Sequence, residues 1–233
     1  MSCELLEGVV TAYGGADLWR NSRVVEATIS SGGLGFAIKW HGRQRRRRVS
    51  AQISRPEITI KLAGDGSYGI LEEKNVRIES PLGRIVDSRR DADTFFPGGR
   101  RLFWWDRLDI LYFRGEALWN YLTFPALLLR DDISWTQIFD NTLEGRFPSH
   151  LPTHCEVQRF HFDPANRLLR QHDYTAEAFG SSAKAANVVI EHKTWDAIPF
   201  PYNGELRPAL RTERRDADQL SSGSRLMTGA FTD

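Results

Sequence analysis

The chain has 233 residues, 41% of them hydrophobic, with 7 Trp, 13 Phe and 6 Tyr; that is enough apolar volume for a sizeable core and excludes an intrinsically disordered chain. Its formal net charge is +1, so no global field recruits nucleic acid or anionic lipid. Two cysteines, Cys3 and Cys155, cannot make a disulfide framework, and no run approaches the roughly 20 apolar residues that span a bilayer.

In chain order, Leu5, Leu6, Val9, Val10 and Tyr13 recur at helical spacing before Gly14 and Gly15, which predicts a helix over 3–14. "MSCELLEGVVTAY" lacks the basic and long apolar stretches of a secretory signal, and with unpaired cysteines this reads as a cytoplasmic protein. From about residue 22 the period becomes two. "RVVEATIS", "LGFAIKWH", "RVSAQIS", "EITIKLA" and "NVRIES" are short strands separated by Gly- and Pro-rich turns. No helix falls between them, so the strands form an antiparallel meander. The basic run "RQRRRR" at 43–48 reads as a solvated hairpin end that blunts a sheet edge, so nucleic acid is not expected as a partner.

The segment "FFPGGRRLFWWDRLDILYFRGEALWNYLTFP" breaks the pattern. Apolar residues at three- and four-residue steps predict one or two helices over about 104–122, with Pro97 and Pro125 outside them. Its rings require a large apolar surface to cover. Strands resume at about 133–140, 153–163, 167–176, 186–194 and 225–232, with a polar loop in "RTERRDADQLSSGS". There is no internal repeat and no linker, so a single domain over 1–233 is expected. The whole is mainly β (α+β): a strongly curved antiparallel sheet or incomplete barrel, with helices covering an apolar cavity.

"ALWNYLTFP" at 117–125 and "THCEVQRFHFDPANRLLRQHDY" at 153–174 resemble a family of uncharacterised bacterial proteins that carry W-N-Y-L-T and R-x-H-D-Y motifs. More distantly, the helix-then-meander layout is similar to the lipoprotein-carrier (LolA-like) fold of periplasmic chaperones. That resemblance implies an unclosed barrel that holds acyl chains.

The polar strand around "RLLRQHDY" carries the chemistry. Alternation sets Arg170, His172 and Tyr174 on one face and Asp173 on the other. With "PAN" as a three-residue turn, Gln158 lies opposite His172 and Glu156 opposite Tyr174, while Phe160 shares that face and argues for burial. His172 is then a candidate acid or base, with Tyr174 and Arg170 as oxyanion donors and Glu156 as its carboxylate neighbour. Candidate ligand contacts are Trp105, Tyr112, Trp119, Tyr121, Gln158, Phe160, His154, Asp173 and His192. The bland alternative is that these polar groups satisfy one another on a solvated face.

No H-x-x-x-H, H-x-H or cysteine pair suggests a metal, no G-x-S-x-G suggests a serine nucleophile, and no glycine cluster follows the strand-to-helix order of a nucleotide loop. No cofactor is indicated. Two functions stay open for one pocket: binding of a lipid, polyketide or terpenoid with cofactor-independent isomerisation or cyclisation, and a non-catalytic hydrophobic-ligand carrier or sensor. A protein-interaction module is a third reading. Ligand identity and oligomeric state are not set by the sequence.

Overall fold

The computed structural model describes residues 4–31, 39, 44–195, 198–202, 204–208 and 224–226. Helix α1 (Glu4–Ala12) and a second short helix, α2 (Ala16–Asn21), open the chain. Between them Gly14 and Gly15 have φ of 97° and 89°, backbone that side chains oppose; α1 lies within the predicted helix over 3–14, and α2, beyond the glycines, is additional.

Six strands follow as an antiparallel meander in sequence order: β1 (Val24–Ser31), β2 (Gln44–Gln52), β3 (Glu57–Lys61), β4 (Tyr68–Glu72), β5 (Asn75–Glu79) and β6 (Ile85–Arg89). The basic run is a correction. Its described residues, 44–48, lie in β2, where Arg47 pairs with Ile29 and Arg48 with Thr28. Of the "LGFAIKWH" strand only Lys39 falls within the described residues, and it donates to the carbonyls of Arg101 and Leu102. Strands β4 and β6 are additional, the first masked in sequence by Gly69.

Helix α3 (Arg107–Leu127) connects to a second antiparallel sheet. Its strands are β7 (Ser134–Phe139), β8 (Thr142–Arg146), β9 (Val157–Phe162), β10 (Leu169–Thr175), β11 (Lys184–Val188), β14 (Gly204–Pro208) and β15 (Ser224–Leu226), in the order β15-β14-β11-β10-β9-β8-β7. A separate hairpin pairs β12 (Glu191–Trp195) with β13 (Ile198–Tyr202). The chain is thus mainly β with unclosed antiparallel sheets and few helices, as its sequence predicts. The predicted strand over 225–232 and the loop over 211–224 fall largely outside the described residues.

Helix α3 organises everything between the sheets. It is buried on all sides, only Arg107 being exposed and Tyr121 partly so, which is why its sequence shows apolar residues around the whole circumference. Pro125 lies inside the last turn, not beyond the helix. Two glycines draw α3 against the first sheet: a Cβ on Gly115 would sit 2.8 Å from Leu71 Cβ, and one on Gly69 would sit 2.6 Å from a Leu111 methyl. Trp119 points the same way, and its indole N–H donates to the Gln52 carbonyl at 2.9 Å. Toward the second sheet α3 reaches through long rings, as where Phe124 stacks on Phe160 with centroids 5.0 Å apart.

The start of α3 is fixed by charge. Asp106 caps the helix, accepting from the amides of Leu108 and Asp109, while Asp109 returns a bond to the Asp106 amide. Arg89, Arg100 and Arg101 all donate to the fully buried Asp109. Burial works to raise the Asp106 carboxyl, but bonds and charge from Arg89, the Asp109 amide and Arg100 hold it well below the usual range. The rings before the helix are divided: Phe95, Phe103 and Trp104 are exposed, contrary to the expectation that the whole segment is covered.

Candidate functional site

Strand β10 enters the space between α3 and the second sheet with a register unlike the one its sequence suggests. Asp163 binds the amides of Ala165 and Asn166, Arg167 takes a left-handed φ of 61°, and the Asp163 amide pairs with the Leu168 carbonyl, so the turn is one residue longer. A bulge between Leu169 and Gln171 adds a second slip. His172 therefore pairs with Phe160, not Gln158. Two one-residue slips restore the facing of the strand, so His172 and Tyr174 still point inward. Arg170, on the bulge, is turned out to an ion pair with Asp163 at 3.3 Å with 65% of its side chain exposed. Arg170 is thus no oxyanion donor. Glu156 is also corrected: it is exposed and bonded to Arg146 at 2.5 Å.

The inward cluster is layered. His172 lies flat on Phe160, donates from Nε2 to Gln158 Oε1 at 2.6 Å, and meets the edge of Tyr121. The Gln158 amide nitrogen is committed to Thr153 Oγ1 and to the Cys155 carbonyl, so its oxygen must face His172. That fixes the His172 proton on Nε2 and leaves Nδ1 as an acceptor. The His172 imidazole titrates well below its ordinary value, first because it is buried and then because His154 and His161 are near. Tyr121 donates to the Tyr174 hydroxyl at 3.1 Å. Burial, with Tyr121 beside it, raises Tyr174 well above the usual phenol range, and Tyr121 is itself pushed up to about 12 by burial.

His172, Tyr121, Gln158 and Phe160 border a narrow cleft of about 80 Å³, whose lining does not include Tyr174. Its walls are the C-terminal half of α3, the inner faces of β9 and β10, Tyr13, Ile29 and Phe200. Of the candidate ligand contacts, Tyr121, Gln158 and Phe160 line it. Its other polar members are Asn120 and Asn187. Asn120 spends both amide hydrogens on the carbonyls of Glu116 and Pro152, and the side-chain oxygens of Asn120 and Asn187 are buried without a partner among the described residues.

The remaining candidates fall elsewhere. Trp119 is core against the first sheet, and Trp105 packs in a separate cluster with Phe96, Phe113 and Phe179. Asp173 faces the opposite side of the sheet, where it holds His161 at 2.9 Å and accepts from Gln171. His192 stands behind the cleft wall, 3.3 Å from the Tyr13 hydroxyl, and burial lowers it to about 4. Tyr112 and His154 line a different cavity, one turn and more toward the N-terminus of α3. Sequence reading missed Asn120, Asn187 and Glu116. The available signal was Glu116 and Asn120 inside an otherwise apolar helix, since a charge or amide on a helix buried all round needs a reason.

No family model matches the chain, and no curated protein does. Among solved structures it is similar to a LolA superfamily protein from Nitrosomonas europaea, with 11% identity, covering 98% of this chain and 92% of that one at a TM-score of 0.49. It is also similar to a DUF1329 family protein from Desulfovibrio piger, with 13% identity, 88% and 85% coverage and a TM-score of 0.47.

Proposed function

We propose that the cleft between α3 and the second sheet binds a slim apolar molecule bearing one uncharged hydrogen-bond donor, such as a long-chain alcohol. The observation that carries this is the pair of buried, unpartnered amide oxygens of Asn120 and Asn187 in a mainly apolar cleft. Interiors of proteins are close-packed, and a buried acceptor without a partner costs about 1–3 kcal/mol. A ligand hydroxyl would satisfy an acceptor while its chain fills the space.

Size and charge narrow the ligand further. A water-sized unit takes roughly 10–15 Å³ on this scale, so the cleft admits a linear chain more readily than a fused polycycle. No lysine or arginine is among its described lining residues, so a carboxylate head has no counter-charge.

The same geometry bears on turnover. In an isomerase or cyclase reading, His172 Nδ1 would take the proton, while the Tyr121 hydroxyl already spends its hydrogen on Tyr174. A histidine whose burial holds it neutral far below its ordinary range is a weak base at neutral pH, which supports a carrier or sensor over an enzyme. Solvent extraction of the purified chain followed by mass spectrometry tests the reading. A bound linear lipid with a neutral polar head is expected. No apolar molecule in the extract, together with no calorimetric binding of added 1-dodecanol, removes it.

A further inference from the structure

A second cavity, of about 660 Å³, shares no lining residue with the cleft. Its floor is a buried dyad: His154 Nδ1 meets Glu116 Oε1 at 2.9 Å, with both side chains almost wholly buried. With the Nδ1 proton directed to that carboxylate, the neutral ring presents Nε2 as an acceptor. Nε2 is buried and has no partner among the described residues. The imidazole is clamped between rings, stacked 4.3 Å from Tyr174 and tilted against Phe113 at 5.3 Å, so it cannot swing to find one.

The charges around this cavity do not cancel. Lys74 is neutralised by Asp93 at 2.5 Å, Arg146 by Glu156 at 2.5 Å, and Asp132 is held by Arg130 at 2.7 Å. Glu116, which meets the His154 ring, and Glu177 are left with no lysine or arginine partner among the described lining residues. Glu177 stands at the mouth, and its carboxyl is raised by burial and then by the repulsion of Glu116 and Glu156. Phe96, Tyr112 and Phe147 supply aromatic walls. Carboxylates, a bare imidazole nitrogen and ring faces all favour the same guest, a cation that carries N–H donors.

We propose that this cavity is a binding site for an organic primary amine on an aromatic or apolar body, with its ammonium between Glu177 and the Glu116–His154 pair. Two groups divide the recognition. Glu177 supplies charge at the entrance, and His154 Nε2 accepts one N–H at the floor.

Calorimetric titration of the full chain with tyramine and with tyrosol, the same body bearing a hydroxyl in place of the ammonium, tests this. Saturable tyramine binding is expected, at least tenfold tighter than tyrosol. Glu177→Gln, a change at an exposed position that leaves folding intact, is expected to weaken tyramine several-fold and tyrosol little. His154→Phe, checked for an unaltered near-UV spectrum, is expected to weaken both; if it does not fold, Glu177→Gln alone decides the proposal. Equal affinity for the two probes, no binding of either at millimolar concentration, or a tyramine affinity unmoved by Glu177→Gln overturns the proposal. Each of these outcomes leaves the cleft reading untouched, because the two sites have no residue in common.

Discussion

His172 and Phe160 lie nearly parallel across β10 and β9, with ring centroids 4.2 Å apart and planes inclined by 11°. This stack sets the height of the imidazole above the sheet and brings Nε2 to the oxygen of Gln158, one step along the same face. The polar floor of the cleft is therefore a product of register as much as of residue type.

The His172–Gln158 bond is buried at both ends, so either partner alone is costly. His172→Phe, which can keep the stack, leaves Gln158 Oε1 unpaired, and Gln158→Leu leaves the imidazole N–H unpaired. Each single change is expected to cost about 1–3 kcal/mol in urea unfolding, and the double variant less than the sum by more than about 1 kcal/mol. Strict additivity would show that the bond contributes nothing.

Gly115 reverses the usual helix rule. Exchange of a helical glycine for alanine ordinarily stabilises by about 1 kcal/mol. Here the added Cβ would lie 2.8 and 2.9 Å from Leu71 atoms, forcing α3 off the first sheet. Gly115→Ala is expected to lower the melting temperature, and a rise would mean that α3 is not held this close.

The outward and inward faces of the site show what sequence could and could not convey. Alternation placed His172 and Tyr174 together because their spacing survives any even slip of register. It failed for Arg170 because the bulge falls on that residue, and for Glu156 because the strand begins only at Val157. The helix signal ended at Pro125, since a proline forfeits a backbone bond, yet packing on both sides carries the last turn past it. Trp119 and Trp105 looked like cavity rings, but composition does not say which sheet a helix hugs. That depends on Gly115 and Gly69, whose meaning emerges only when Leu71 and Leu111 are found beside them.

Asp109 answers three guanidinium groups while fully buried. Asp109→Asn removes the compensating charge and leaves Arg89 and Arg101 partly buried without it. A loss of about 3–5 kcal/mol is expected in equilibrium unfolding. A loss below about 1 kcal/mol would mean that Asp106 alone carries the cluster.

Acid sensitivity follows from the two histidines held neutral. His172 is lowered well below 6.5 by burial and then by His154 and His161, and His192 is lowered to about 4 by burial and then by Arg170. The unfolded chain takes up these protons near pH 6.5 and the folded chain does not. The stability they contribute is present above about 6.5 and is lost as pH falls toward 4. The urea midpoint is expected to drop between pH 7.5 and 5, with a smaller drop in His172→Phe. An unchanged midpoint in the unaltered chain contradicts this.

Occupation of the cleft is most directly measured by titrating 1-dodecanol, by calorimetry, into the chain and into Val189→Phe, whose larger side chain fills the cleft from the edge beyond β11. Saturable binding that disappears in the folded variant, and that is much weaker for dodecanoate than for the alcohol, is the predicted result. Equal binding to both chains, or a preference for the carboxylate, would place the ligand somewhere other than between α3 and His172.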